Sequence, residues 1–300
     1  MKAVVIEHFV RSYGDVRVSD IPIPQPNGQE ILIQVKAAGV NFVDTLYCRG
    51  LHQNNRRHVK PPFTLGLEFA GVVVSAPSTC RFAQGSRVFG TWTGAYTEFL
   101  AIPLSLINNL HPIPSSWTFA EAASLGATLP VSYGALVLRG ALQSGETVLV
   151  HSAAGGLGLA AVQLAHALGC RVIGTAGSDL KCSIAEKYGA EKCINYSADP
   201  SWWGEVKRLT GEQGVDLVFD SVGLRFGESD RRDPTEAARI WGKLLPLIEA
   251  DKIKPTIYDA TYPGLESVPQ ALEDISSRRV WGKAVIRLEG TEAKVLKANL

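Results

Sequence analysis

The segment Thr147–Ala161, TVLVHSAAGGLGLAA, restricts the possible folds more than any other part of the chain. Four strand-forming residues run into a tight turn, Ala154-Gly155-Gly156-Leu157-Gly158, and an apolar helical stretch comes directly after it. Glycines at such a turn let the backbone come close to a ligand. The helix that opens there aims free N–H groups and its positive dipole end at an anion. The spacing is AxxGxxG-like, a variant of the dinucleotide fingerprint GxGxxG. A tight turn without a ligand is the alternative. The strand before and the helix after are the context in which these glycines read as a pyrophosphate site. Ala154, Gly155, Gly156, Leu157 and Gly158 are therefore candidate cofactor contacts.

The downstream segments support this reading. RVIGTAGS reads as a second strand and DLKCSIAEKYGA as a helix ending on Gly189. KCINY is a third strand, PSWWGEVKRLTGEQG a helix and VDLVFDSVG a fourth strand, Val215–Phe219 at its core. Strands alternating with helices at this spacing predict βαβ units, a parallel sheet and right-handed crossovers. Upstream the texture differs. Residues 1–110 carry short β-branched and aromatic runs (AVVIEHF, EILIQVKAAGV, EFAGVVVSA, SRVFGTW, AYTEFLAI) separated by turn clusters, which predicts a barrel-like β domain. The stretch FAEAASLGATLPVSYGALVLRGAL is helix-rich and interrupted at Pro130. After the fourth strand, DPTEAARIWGKLLPLIEADKI reads as a helix with Asp233 as cap, Pro234 at its first position and Glu236 in its first turn. KPTIYDA is strand-like, SVPQALEDISSR helical, and WGKAVIRL a terminal strand able to return to the first domain. The fold class is α/β: residues 1–120 as a β-rich domain completed by 255–300, and 121–254 as a parallel-sheet domain.

Composition excludes several function classes. Thirty Lys and Arg against 29 Asp and Glu leave a net charge of +1, so no electrostatic footprint for nucleic acid or an anionic membrane exists. No run approaches the roughly 18 apolar residues of a membrane span, and the start, MKAVVIEHFV, reads as a strand rather than a signal peptide. Five cysteines with no CxxC pair point to neither a disulfide framework nor a cysteine-rich metal site. A cytoplasmic, reducing environment is the expectation.

The second strand identifies the cofactor. A site for NADH wants an acid about 20 residues beyond the glycines, on the ribose hydroxyls. Here that strand ends in Gly174-Thr175-Ala176-Gly177, with no acid. Ser178 and Lys181 come next, and Tyr196 ends the third strand. A hydroxyl, an ammonium and a phenol suit a 2′-phosphate, so NADPH is expected, with Asp179 as the discordant charge. A solvated Lys181 and a packing role for Tyr196 are the alternatives.

The segments AAGVNFVDTLYCRG, PFTLGLEFAGVV, GSRVFG, AYTEF, HSAAGGLGLAAVQLA, INY, FDSVG and WGKAVIRL, in this order over nearly the whole chain, resemble the zinc-independent medium-chain dehydrogenases/reductases, in their quinone oxidoreductase (zeta-crystallin-like) and enoyl reductase branch. The resemblance implies a GroES-like catalytic domain, a Rossmann domain, and NADPH in the cleft between them. It implies hydride transfer to a small quinone or to an α,β-unsaturated carbonyl. Zinc-dependent relatives carry a cysteine at the position of Asn41 and a histidine at that of Leu67, so no metal is expected. Asn41 matches a position near the nicotinamide, Tyr133 an aromatic at the cofactor cleft, and Arg278 a basic position near the cofactor phosphate. Asp44 is a candidate catalytic residue or a helix cap. For the proton donor, His52 stands where many relatives have tyrosine, and Tyr47 is the other candidate; His52 as an exposed loop residue is the alternative.

In the family, FDSVG is followed by a helix and further strands before a segment like RFGESDRRDP. Here DSVG runs almost directly into it, so the Rossmann-type sheet is expected to be shortened to about four strands. An open edge on the fourth strand, Val215–Phe219, favours association, and a homodimer is expected. Two further readings stay open: a shortened homologue that only binds NADPH or a protein partner, and an enoyl reductase acting in trans for a larger synthase.

Overall fold

The computed structural model describes residues 1–56, 59–221 and 234–288. The glycine-turn segment forms as its sequence predicts: strand Thr147–Val150, a turn, and helix Gly156–Ala167. Strand Thr147–Val150 pairs in parallel with Arg171–Ala176 on one side and Leu217–Phe219 on the other, and Arg171–Ala176 pairs in parallel with Lys192–Asn195. The order, third-second-first-fourth, is one half of a doubly wound sheet together with the first strand of the other half. Among the described residues this sheet has four strands. The fourth is shorter than expected, Leu217–Phe219; Asp216 before it bonds to Thr147 through its amide (2.9 Å) and its carboxylate (2.8 Å). Residues 222–233, which follow the fourth strand, lie outside the described residues, the expected cap Asp233 among them.

The first third of the chain builds a mostly antiparallel seven-stranded sheet around Glu30–Val40, which pairs with Glu68–Ser75, Phe99–Pro103 and Ala284–Arg287. Ala284–Arg287 is the last strand among the described residues, and its return beside Val40 joins it to the β-rich sheet. Lys2–Ile6, Arg17–Asp20 and Phe63–Thr64 make a second, small sheet. One hydrophobic core centres on Ile31, Ile33 and Phe69 of the β-rich sheet; a second centres on Val148, Val150 and Leu164 and extends to Ala37, Ala70 and Phe89 of the β-rich sheet.

Two expectations are corrected here. Pro130 does not interrupt a helix. It lies in the first turn of helix Thr128–Tyr133, where no intrahelical N–H bond is due, and the chain continues helically through Arg139. KPTIYDA is not a strand; it contributes one bridge, Ile257 to Lys283. No helix among the described residues is long and apolar enough to cross a membrane.

Candidate active site

The glycine turn is held by close backbone packing. A side chain at Gly158 would start 2.1 Å from the Ser152 carbonyl oxygen, so no larger residue fits this turn unshifted. The first-turn amides of Gly156, Leu157 and Gly158 have no partner inside the helix and face the end of the parallel sheet at which dinucleotide phosphates bind. Ala154 and Gly155 are drawn into a contact that the sequence does not announce. The Gly282 amide donates to the Ala154 carbonyl at 2.8 Å, and Gly155 and Gly282 form a parallel bridge. The segment that leads into strand Ala284–Arg287 is thereby pinned to the turn.

At the end of the second strand the expected polar residues come together. Ser178 caps helix Asp179–Lys187, its hydroxyl accepting from the Lys181 amide at 3.3 Å. The Lys181 ammonium donates to the Arg278 carbonyl at 2.6 Å, which brings Arg278 to the same place. The Tyr196 hydroxyl lies 2.9 Å from where a side chain at Gly177 would begin. Asp179, the discordant acid, accepts from Asn195 Nδ2 at 2.8 Å. Burial, and then the Arg278 charge, lower the Lys181 pKa. A phosphate dianion would reverse that balance.

The other half of the site surrounds Asn41, at the N-terminus of helix Phe42–Tyr47. Its Oδ1 accepts from Lys283 Nζ at 2.6 Å, and its Nδ2 lies 3.3 Å from Glu68 Oε2 and 3.4 Å from the Gly39 carbonyl oxygen. Lys283 and Glu68 form an ion pair of 2.6 Å whose side chains are 3% and 0% exposed. The remaining Glu68 oxygen accepts from the Ala127 amide at 2.7 Å. Gly39 makes room for this carboxylate: a side chain there would start 2.5 Å from Glu68 Oε2. Sequence reasoning passes over both Glu68 and Lys283. Their only signal is a lone charge in an apolar strand context, Glu68 in LGLEFAG and Lys283 in WGKAVIRL.

The remaining candidates take more local roles. Asp44 is fully buried and closes the helix N-terminus: its Oδ2 accepts from the Asn41 amide at 2.8 Å and from the Tyr96 hydroxyl at 2.6 Å. Its capping reading is the one the geometry supports. Burial raises the Asp44 pKa to about 6, against the opposing hydrogen bonds from Tyr96 and Asn41. Burial, and then the Asp44 charge, push Tyr96 well up. Tyr47 and His52 pack with ring centres 4.6 Å apart and planes tilted by 56°, and they share Asn54, which donates through Nδ2 to the Tyr47 hydroxyl and through its backbone amide to His52 Nδ1. His52 is half-buried, and burial lowers its pKa. Tyr133 sits in the core of the parallel-sheet half, 9% exposed, on a helix tied to the glycine helix by the Ser132 hydroxyl bond to the Leu157 carbonyl at 3.0 Å. Leu67, half-buried, packs in the β-rich core. Among the described residues no three His, Cys, Asp or Glu side chains group as a metal site.

Residues 27–114 match the alcohol dehydrogenase GroES-like domain and residues 156–242 the zinc-binding dehydrogenase domain. Human quinone oxidoreductase is 34% identical over 209 residues, covering 68% of this chain and 61% of the human protein. The structure superposes on a probable oxidoreductase from Mycobacterium abscessus with a TM-score of 0.86 at 30% identity, covering 96% of this chain and 99% of that one. The chain belongs to the medium-chain dehydrogenase/reductase superfamily, in its quinone oxidoreductase and enoyl reductase branch. It spans about three-fifths of the length of the human relative. Within the branch, Escherichia coli quinone oxidoreductase complexed with NADPH superposes with a TM-score of 0.82 at 25% identity, covering 96% of this chain and all of that one.

Proposed function

We propose that this medium-chain dehydrogenase/reductase binds NADPH and reduces a small quinone or an α,β-unsaturated carbonyl compound without zinc. The observation that carries the reading is the contact between Gly282 and the Ala154–Gly155 turn. It sets the phosphate cradle and the polar cluster of Asn41, Lys283 and Glu68 side by side, so that one ligand can reach both. The Escherichia coli neighbour, solved with NADPH, supports the choice of cofactor. The residues fit the group: the first-turn amides at Gly156–Gly158 take the pyrophosphate, and Ser178, Lys181 and Tyr196 take the 2′-phosphate, with Arg278 at its rim. When bound, NADPH supplies a hydride, and the acceptor gains that hydride and a proton. The chain's part is to align the acceptor and hold its carbonyl oxygen with fixed donors.

The zinc-free reading rests on residue chemistry. A catalytic zinc needs about three protein ligands. Asn41 presents an amide and Leu67 an alkyl chain, while the Lys283 ammonium sits on the nearest carboxylate, Glu68. Titration with NADPH and NADH, followed by turnover with a panel of quinones and enones before and after dialysis against a strong chelator, tests the proposal. Preference for NADPH and chelator-resistant turnover support it. Activity lost with a stoichiometric zinc overturns the zinc-free reading. Binding without turnover favours a homologue that only holds the cofactor, a reading to which the four-stranded sheet lends weight.

A homodimer is part of the proposal. The edge around the fourth strand presents Val218, 51% exposed. Sedimentation of the native chain and of Val218→Lys decides it. A native dimer that dissociates in the variant supports this edge as the contact, and a monomeric native chain contradicts it.

A further inference from the structure

Lys283 meets both halves of the candidate site. Its stem passes the glycine turn, with Cδ 3.9 Å from where a side chain at Gly156 would begin, and its neighbour Gly282 is bonded to Ala154. Its ammonium makes two bonds of 2.6 Å, to Glu68 Oε2 and to Asn41 Oδ1. Glu68 cannot swing away, because its other oxygen is held by the Ala127 amide at 2.7 Å. The cluster is therefore rigid everywhere except at one group, the Asn41 Nδ2.

An ammonium on Asn41 Oδ1 has two consequences. Lysine offers donors only, so the carboxamide oxygen must face it, and the amide is held in one of its two orientations. The positive charge also draws electron density toward Oδ1, which strengthens the Nδ2–H groups as donors. Those groups are loosely engaged, at 3.3 Å to Glu68 Oε2 and 3.4 Å to the Gly39 carbonyl oxygen, near the outer limit for a hydrogen bond. Because both bonds are long, a carbonyl oxygen placed in the cleft at ordinary hydrogen-bond distance takes up such a donor at little cost.

We infer that Lys283, counter-charged by Glu68, is a positioning residue for the reduction: it orients and polarises the Asn41 carboxamide so that Nδ2–H donates to the carbonyl oxygen of the acceptor. The inference rests on the proposed reductase activity. No proton or electron leaves Lys283. Its charge acts through the amide, where a metal-dependent enzyme would act through a bound cation.

The test uses the full chain and two variants. Lys283→Ala leaves space for an added amine. Lys283→Met/Glu68→Gln removes both charges, so that no buried charge is left alone. In native protein labelled with ¹⁵N, the Asn41 side-chain amide resonance should move when cyclohexanone is added to the NADP⁺ complex, and should not move in the double variant. The double variant should lose about 100-fold in kcat, the scale of a displaced donor, with little change in KM for NADPH. Methylammonium should restore part of the kcat of Lys283→Ala. A folded double variant that keeps the native kcat and the native resonance shift overturns the inference and leaves Lys283 a structural ion pair. A native protein whose Asn41 resonance ignores the ketone also overturns it, even if NADPH is consumed. A native shift with no oxidation of NADPH by any quinone or enone instead refutes the functional reading and, with it, the role in reduction, leaving only Asn41 as a carbonyl-binding amide.

Discussion

Lys283 Nζ lies 2.6 Å from Glu68 Oε2 in a space closed to solvent. The two residues lie far apart in the chain, and their meeting fastens strand Ala284–Arg287 to the β-rich sheet beside the glycine turn. Taking two charges out of water is costly, and their attraction roughly offsets that cost only while both are present.

Either single neutralisation, Glu68→Gln or Lys283→Met, is therefore expected to destabilise the fold by about 3–5 kcal/mol, whereas the double variant recovers most of the loss. Urea unfolding of the three variants forms a double-mutant cycle that measures the coupling. Additive single losses would mean that the two charges do not act on each other.

Lys181 tests the choice of cofactor. Its ammonium is held at the end of the second strand by the Arg278 carbonyl. Lys181→Ala is expected to weaken NADPH by about 1.5–3 kcal/mol, the worth of a charge-assisted bond to phosphate, and to leave NADH little changed. Fluorescence titration with both nucleotides checks this. Equal losses for the two would remove Lys181 from the 2′-phosphate site.

Two glycines predict opposite outcomes. At Gly158 a methyl group would meet backbone, the Ser152 oxygen at 2.1 Å, and Gly158→Ala is expected to cost about 1–3 kcal/mol and to weaken nucleotide binding. Gly134 has helical dihedrals, φ −58° and ψ −38°, and open space where a side chain would go. Gly134→Ala is expected to stabilise by about 0.5–1 kcal/mol. Denaturant midpoints at constant slope decide both.

Asp44 predicts a pH dependence with a defined sign. Its carboxyl is raised from 3.8 to about 6 by burial, so between those values the folded protein holds a proton that the unfolded chain has released. Stability contributed by this residue is lost as pH rises through that window. Asp44→Asn keeps an oxygen for Tyr96 and the Asn41 amide without the titration. Its stability relative to the native chain should therefore grow from about pH 4 to pH 6 and level off above, as followed by unfolding at several pH values. A constant difference would show that Asp44 titrates as it does in the unfolded state.

The glycine turn and the cluster of Ser178, Lys181 and Tyr196 are legible in the sequence because local rules place them. A strand, a turn and a helix fix where Gly156–Gly158 point, and parallel pairing brings the ends of the second and third strands together. Glu68 and Lys283 are not legible in this way. Lys283 and its partner Asn41 are 242 positions apart, and no periodicity connects them; only the return of Ala284–Arg287 beside Val40 does. Asp44 shows a third case. Its spacing from Asn41 fits either a cap or an acid catalyst, and burial beneath Tyr96 is what separates the two. Pro130 reads as a break because proline usually ends a helix, yet a first-turn proline looks the same in sequence until the helix start at Thr128 is known.

The most direct test of the reductase reading is a single-turnover experiment with NADPH carrying deuterium at C4 of the nicotinamide and a simple enone as acceptor, in the absence of added metal. The account predicts that NADPH is oxidised in step with loss of the enone and that deuterium appears at the β-carbon of the product. NADPH that binds stoichiometrically and stays reduced beside every quinone and enone tried would contradict it.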